Sequence, residues 1–279
     1  MSIFDSISNL VLSSAESALP VNLNNYNIPP ENKRVVFITQ YHFCGNLDRD
    51  AEILECINRN INNPIIDKVI LFTENLSKED VEVKINLNSK TTLINLDYRI
   101  SFSSVFKYIH QEPNLHGDSS NIYLLSNSDC YFDESLNTLK YINFEERPSP
   151  LFLTMTRYED FCGSLQIGKN PFTEQWHPLE YNGIKDFIPE EYEKLPFLEP
   201  WSSDAWAFKF NSIDWIKENL DEFQNELGTA MCELLLVDNL LKLQVECKNI
   251  GLAGYIKCIH KHKSLYREKK NISKKIEDY

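Results

Sequence analysis

Four short, largely apolar runs set the frame of this 279-residue chain: Val35-Val36-Phe37-Ile38, Val69-Ile70-Leu71-Phe72, Thr92-Leu93-Ile94-Asn95-Leu96 and Ile122-Tyr123-Leu124-Leu125. Continuous apolar runs of this length suit strands covered on both faces. Between them the spacing turns helical. Ile53, Leu54, Ile57 and Ile61 predict a helix over residues 48–61 that stops at Asn62-Asn63-Pro64, and Phe102, Val105, Phe106 and Ile109 mark another. Strand, helix, strand, strand, helix, strand predicts an α/β fold, with a mixed, mostly parallel central sheet flanked by helices. Such sheets bind ligands at the carboxyl ends of their strands.

The second half reads differently. Strands are expected at Phe152-Leu153-Thr154-Met155-Thr156 and Ala207-Phe208-Lys209-Phe210, and helices at about 212 to 224 and 230 to 246. Residues 1–31 read as a short amphipathic helix and linker, 32–267 as one domain, and 268–279 as a charged tail. A hydrophobic content of 42% suffices for a sizeable core. The formal charge of −13 argues against a general nucleic-acid binder, so a phosphate-bearing ligand needs local cations. Seven cysteines without a C-x-x-C pair predict neither a disulfide framework nor a zinc cluster. With no apolar run of transmembrane length and no leader pattern, the expectation is a cytoplasmic protein without a transmembrane segment.

Three segments have the residue types for chemistry. Asn127-Ser128-Asp129 follows the fourth strand directly, where a carboxylate can hold Mg²⁺ or Mn²⁺ against a diphosphate. The tripeptide alone reads more readily as a strand cap and turn. In Trp201-Ser202-Ser203-Asp204-Ala205-Trp206, aromatic faces for stacking on sugar rings flank an acid able to take a hydroxyl proton. By itself it reads more readily as a loop acid between core tryptophans. His260 and His262, at i and i+2, would share one face of an extended segment, with Lys261, Lys263 and Arg267 close by for a diphosphate; a solvated basic terminus is the plainer reading. Arg49 and Arg99 stand near the sheet's ligand edge as phosphate grips or surface ion pairs, and Arg157 and Glu233 are lesser candidates. No P-loop, G-x-G-x-x-G, G-x-S-x-G or H-E-x-x-H pattern occurs.

Taken in order, these segments resemble a group of uncharacterised GT-A-type nucleotide-diphospho-sugar transferases, from about Arg34 to Arg267. The resemblance is carried by Arg49, Glu52, Cys56 and Asn63-Pro64-Ile65-Ile66-Asp67; by Asp97-Tyr98-Arg99-Ile100-Ser101-Phe102; and by Asn127-Ser128-Asp129 with Tyr131-Phe132-Asp133. Leu153 to Tyr158, Ser202 to Trp206, Leu227-Gly228 to Cys232-Glu233, and His260 to Ser264 with Arg267 complete it. It implies sugar transfer from a nucleotide diphosphate sugar to a glycan or other hydroxyl acceptor, inverting and assisted by Mn²⁺ or Mg²⁺. Asp129, His260 and His262 would hold the metal. Arg49, Arg99, Asn127, Ser128, Lys263 and Arg267 would hold the donor, Asp204 would act as base, and Trp201, Trp206, Arg157 and Glu233 would meet the acceptor. The chain departs from that pattern at Asn127, where the wider group has Asp, and at Met231 and Glu233, where Gly and Asp are expected. A nucleotidyltransferase and a degenerate, non-catalytic binding domain are the alternatives. The first lacks a Gly-rich phosphate loop after the first strand.

Overall fold

A computed structural model describes residues 33–112, 115, 118, 120–144, 148–161, 164–167, 177–178, 203–229, 232–251 and 256–261. The expected N-terminal helix, the charged tail, and Trp201, Ser202, His262, Lys263 and Arg267 lie outside these residues.

The first half follows the sequence pattern: β1 (Arg34–Tyr41), α1 (Leu47–Asn62), β2 (Ile66–Glu74), α2 (Lys78–Lys84), β3 (Thr91–Leu96), α3 (Phe102–Gln111) and β4 (Asn121–Ser126). Helix α2, which periodicity does not reveal, is set by a capping box between Ser77 and Asp80. After β4 come β5 (Cys130–Phe132), a 3₁₀ helix (Glu134–Tyr141), β6 (Leu151–Met155), β7 (Arg157–Phe161), β8 (Ser164–Ile167), β9 (His177–Pro178) and β10 (Ala205–Phe208). Then follow α4 (Phe210–Trp215), a 3₁₀ helix (Lys217–Phe223), α5 (Cys232–Lys242), β11 (Glu246–Asn249) and β12 (Cys258–His260).

The helix expected over about 212 to 224 is α4 followed by a 3₁₀ helix, and two further elements differ from expectation. Phe210 does not extend a strand: it begins α4, with Lys209 as its N-cap. The helix expected to reach 246 ends at Lys242, because Gln244 adopts a positive φ of 61°, and the chain re-enters the sheet as β11.

The seven-stranded sheet has the order β11-β6-β10-β4-β1-β2-β3. Every pairing in it is parallel except those of β10, which runs antiparallel to both β4 and β6. Both faces are covered, so neighbouring residues of a strand enter different cores. Phe37, Leu124 and Ala207 face one with Ile53, Ile57 and Ile61 of α1. Ile38, Leu125 and Trp206 face the other with Phe102 and Phe106 of α3. On that second side Phe208 stacks on Phe152 at 4.8 Å and meets Phe106 edge-on at 5.6 Å. A second sheet, β5-β12-β7-β8-β9, adjoins the first where β6 gives way to β7.

The antiparallel insertion of β10 places the site. Its first residue, Ala205, pairs with Ser126 at the end of β4 and with Met155 at the end of β6. The backbone before it is pinned on both sides: Asp204 N–H donates to Met155 O at 3.1 Å, and Asn127 N–H donates to Asp204 O at 2.9 Å.

Gly251 locks β11 to this edge. A Cβ there would lie 2.6 Å from Thr156 N and 2.8 Å from Thr156 O, both backbone atoms. Gly251→Ala should therefore cost about 1–3 kcal/mol, read as a lower urea midpoint with an unchanged m-value.

Candidate active site

Four stretches far apart in sequence converge at the carboxyl ends of β1 and β4. Helix α1 starts there with Asn46, whose side chain accepts Arg49 N–H at 3.0 Å, and this turns Arg49 inward. Arg49 Nη1 donates to Glu52 Oε2 at 3.0 Å and to Lys261 O at 3.2 Å, while Nη2 donates to Asp129 Oδ2. The same Oδ2 lies 3.0 Å from His260 Nε2. Asp129 and His260 are 3% and 1% exposed, so this is a buried ion cluster. Burial pulls the Arg49 pKa down, and the charges of Asp129 and Glu52 more than reverse that, so it is raised.

On the other side of Asn127 stands an acidic pair. Asp204, 4% exposed, accepts Asn127 Nδ2 at 2.7 Å on Oδ1 and Arg157 Nη1 at 3.2 Å on Oδ2. A carboxylate only accepts, so Asn127 must present its Nδ2 to Asp204 and turn Oδ1 away. That Oδ1 is buried and without a hydrogen-bond partner among the described residues. Glu233, half-buried in the first turn of α5, is raised from 4.5 to about 7 by burial and then by the nearby charge of Asp204.

Between β1 and this junction lies a cavity of about 180 Å³. Arg49, Arg99, His42, Asn127, Ser128, Asp129 and Gly228 are among its lining residues. Arg99 is half-buried and donates from Nε to Leu227 O at 3.0 Å. Gly228 has φ +69° and makes room for it, since a Cβ would come within 3.2 Å of Arg99 Nη2. Burial, and then the Arg99 charge, lower the pKa of His42, whose buried Nδ1 lacks a partner among the described residues.

The structure thus brings Arg49, Arg99, Asn127, Ser128, Asp129 and His260 together at the cavity and its rim, with Asp204, Arg157 and Glu233 adjoining. Trp206 is the exception. It is fully buried in the core, edge-on to Phe102 at 5.0 Å, and presents no face to an acceptor: the β10 alternation that turns Ala205 and Ala207 to one core sends Trp206 to the other. Gln40, His42 and Gly228 join the cavity lining beyond the residues expected from the sequence; the place of Gln40 and His42 at the carboxyl end of β1 is the signal that points to them.

The described donor set does not fit a divalent ion. Asp129 Oδ2 already carries Arg49 and His260, Asn127 supplies an amide where a second carboxylate was expected, and no three His, Cys, Asp or Glu side chains among the described residues form a metal-holding group. No described helix is long and apolar enough to cross a membrane.

No family model matches the chain, and no curated protein matches it in sequence. Among solved structures it is similar to a mannosyltransferase from Pyrobaculum calidifontis in complex with GDP-Man and Mn²⁺, at 10% identity and a TM-score of 0.47, covering 95% of this chain and 70% of that one. It is also similar to 4-diphosphocytidyl-2C-methyl-D-erythritol synthase from Anaerococcus prevotii, at 12% identity and a TM-score of 0.40, covering 78% and 88% of the two chains. The inositol-1-phosphate CTP transferase from T. maritima is a third, at 10% identity and a TM-score of 0.42, covering 82% and 89%. At such identities and scores no role for any residue here is drawn from them.

Two outcomes are expected. Arg49→Met leaves Asp129 buried without its guanidinium and should cost about 3–5 kcal/mol; adding Asp129→Asn should restore part of it, as a double-mutant cycle in urea reads. Because the raised Glu233 pKa means the folded state holds its proton longer, stability should fall as pH rises from about 4.5 to about 7. Glu233→Gln should flatten that part of the profile, measured as the urea midpoint at successive pH values.

Proposed function

We propose that this chain is a glycosyltransferase that moves a sugar from a nucleotide diphosphate sugar to a hydroxyl acceptor in a single inverting displacement. The supporting observation is the pairing, across Asn127, of a cationic cavity with an acidic pair. One side suits a diphosphate; the other suits a proton. A phosphate nucleophile attacking a nucleotide has no proton to give up, so nucleotidyl transfer onto a sugar phosphate leaves Asp204 and Glu233 without a task.

In the proposed step the acceptor oxygen attacks the anomeric carbon, the bond from that carbon to the diphosphate oxygen breaks, and the acceptor proton passes to a carboxylate. Glu233, titrating near 7 and half-buried, is the member of the pair suited to take it. Asp204, with Arg157 and Asn127 on its two oxygens, orients the pair. Arg99 and, behind it, Arg49 meet the charge that develops on the leaving diphosphate. Ser128 lines the same cavity as a hydroxyl for the donor. Arg157, 3.2 Å from Asp204 Oδ2, belongs to the acidic side of Asn127, where the acceptor is proposed to bind.

The test is incubation with a panel of UDP- and GDP-sugars and hydroxyl acceptors, scoring released nucleoside diphosphate. The wild type should release it, with a rate that rises with pH through about 7. Glu233→Gln and Asp204→Asn should each lower kcat by about 10²–10⁴-fold, with donor affinity nearly unchanged. Unchanged turnover in both variants sinks the assignment. Release of pyrophosphate from a nucleoside triphosphate and a sugar phosphate would establish nucleotidyl transfer instead.

A further inference from the structure

Resting on the donor reading above, we propose that this chain binds the diphosphate of its donor with fixed guanidinium groups, Arg99 foremost and Arg49 behind it, in place of a divalent ion.

The place where a metal would sit is already filled by the protein's own cation. Arg49 Nη2 donates to Asp129 Oδ2, and His260 Nε2 lies 3.0 Å from the same oxygen. An ion bound to that oxygen at about 2.0–2.2 Å would lie against the guanidinium, charge to like charge. To coordinate through Nε2, His260 would also have to give up its contact with Asp129, since that nitrogen cannot point a proton at Oδ2 and a lone pair at a metal.

Asn127 carries the second half of the case. Its Nδ2 donates to Asp204 Oδ1 at 2.7 Å. A carboxylate at 127 would set two negative oxygens at that separation, and both residues are buried, at 5% and 4% exposure. The amide is therefore what the close approach of Asp204 requires. The same choice removes the second carboxylate that a divalent ion would need.

The cavity's charge points the same way. Two guanidinium groups, Arg49 and Arg99, and one carboxylate, Asp129, line it; Arg49 is held by Asp129 and by Glu52, and Arg99 stands outside that ion cluster. A lining with more fixed positive than negative charge repels a free divalent cation and attracts a diphosphate directly. Gly228 keeps Arg99 in this position, because any side chain there presses on its Nη2.

The experiment uses the full chain after exhaustive EDTA treatment. Binding of UDP and of GDP is measured by calorimetry in EDTA and again in Mn²⁺, and binding of Mn²⁺ alone by electron paramagnetic resonance. The proposal expects at least one diphosphate to bind with affinity equal within about threefold in the two buffers, and no stoichiometric Mn²⁺ site. Arg99→Ala should weaken that binding about tenfold or more, and Arg99→Lys, which keeps the charge, should weaken it less. Thermal unfolding of each variant shows that the fold survives. A stoichiometric Mn²⁺ site abolished by Asp129→Asn, or a diphosphate affinity that appears only with Mn²⁺, overturns the proposal and leaves the donor reading standing. Failure of both diphosphates to bind in either buffer overturns the donor reading and this inference with it.

Discussion

A buried carboxylate, Asp129, holds together parts of the chain that no local interaction connects. Its side chain takes Arg49 from the first turn of α1 and His260 from β12, and its backbone carbonyl accepts Lys261 N–H at 3.0 Å. Lys261 in turn gives its carbonyl to Arg49, closing a ring of contacts around a residue 3% exposed. Desolvating such a charge is expensive, and removing one partner leaves the remainder uncompensated. These contacts tie the second sheet, through β12, to the first turn of α1 beside the ends of β1 and β4.

Asn127 divides this edge into two electrostatic compartments. Toward α1 the guanidiniums of Arg49 and Arg99 dominate; toward β6 and α5 the carboxyls of Asp204 and Glu233 do. A side chain that donates on one end and accepts on the other can stand between such compartments, which neither an aspartate nor a lysine can. The raised pKa of Glu233 is the consequence on the acidic side: a half-buried carboxyl beside Asp204 keeps its proton to about pH 7.

Much of the frame was legible in the residues. The runs at Val35, Val69 and Ile122 became β1, β2 and β4, because a strand buried on both faces must be apolar throughout. Asp129 fell at a strand end as expected, and Arg49, Arg99, His260 and Asp204 arrived near it. What misled was local. Trp206 stood two residues after Asp204 in sequence, but it lies inside β10, where alternation with Ala205 and Ala207 turns it into the opposite core. The apolar run through α5 hid the turn at Gln244 and the short strand β11 behind it, because a four-residue edge strand leaves little periodic signal.

The sequence by itself determined the central strands β1, β2 and β4, the apolar residues they bury, and that a polar triplet ends the fourth strand. Only the tertiary structure decided what that triplet does. Arg49 meets Asp129 across 80 positions, Asn127 meets Asp204 across 77, and Asp129 meets His260 across 131. Periodicity records which face of an element is covered; it does not record which element covers it. That choice was made when β10 ran antiparallel between β4 and β6 and β12 joined β5 to β7, bringing opposite charges close enough that burial became tolerable only in those pairings.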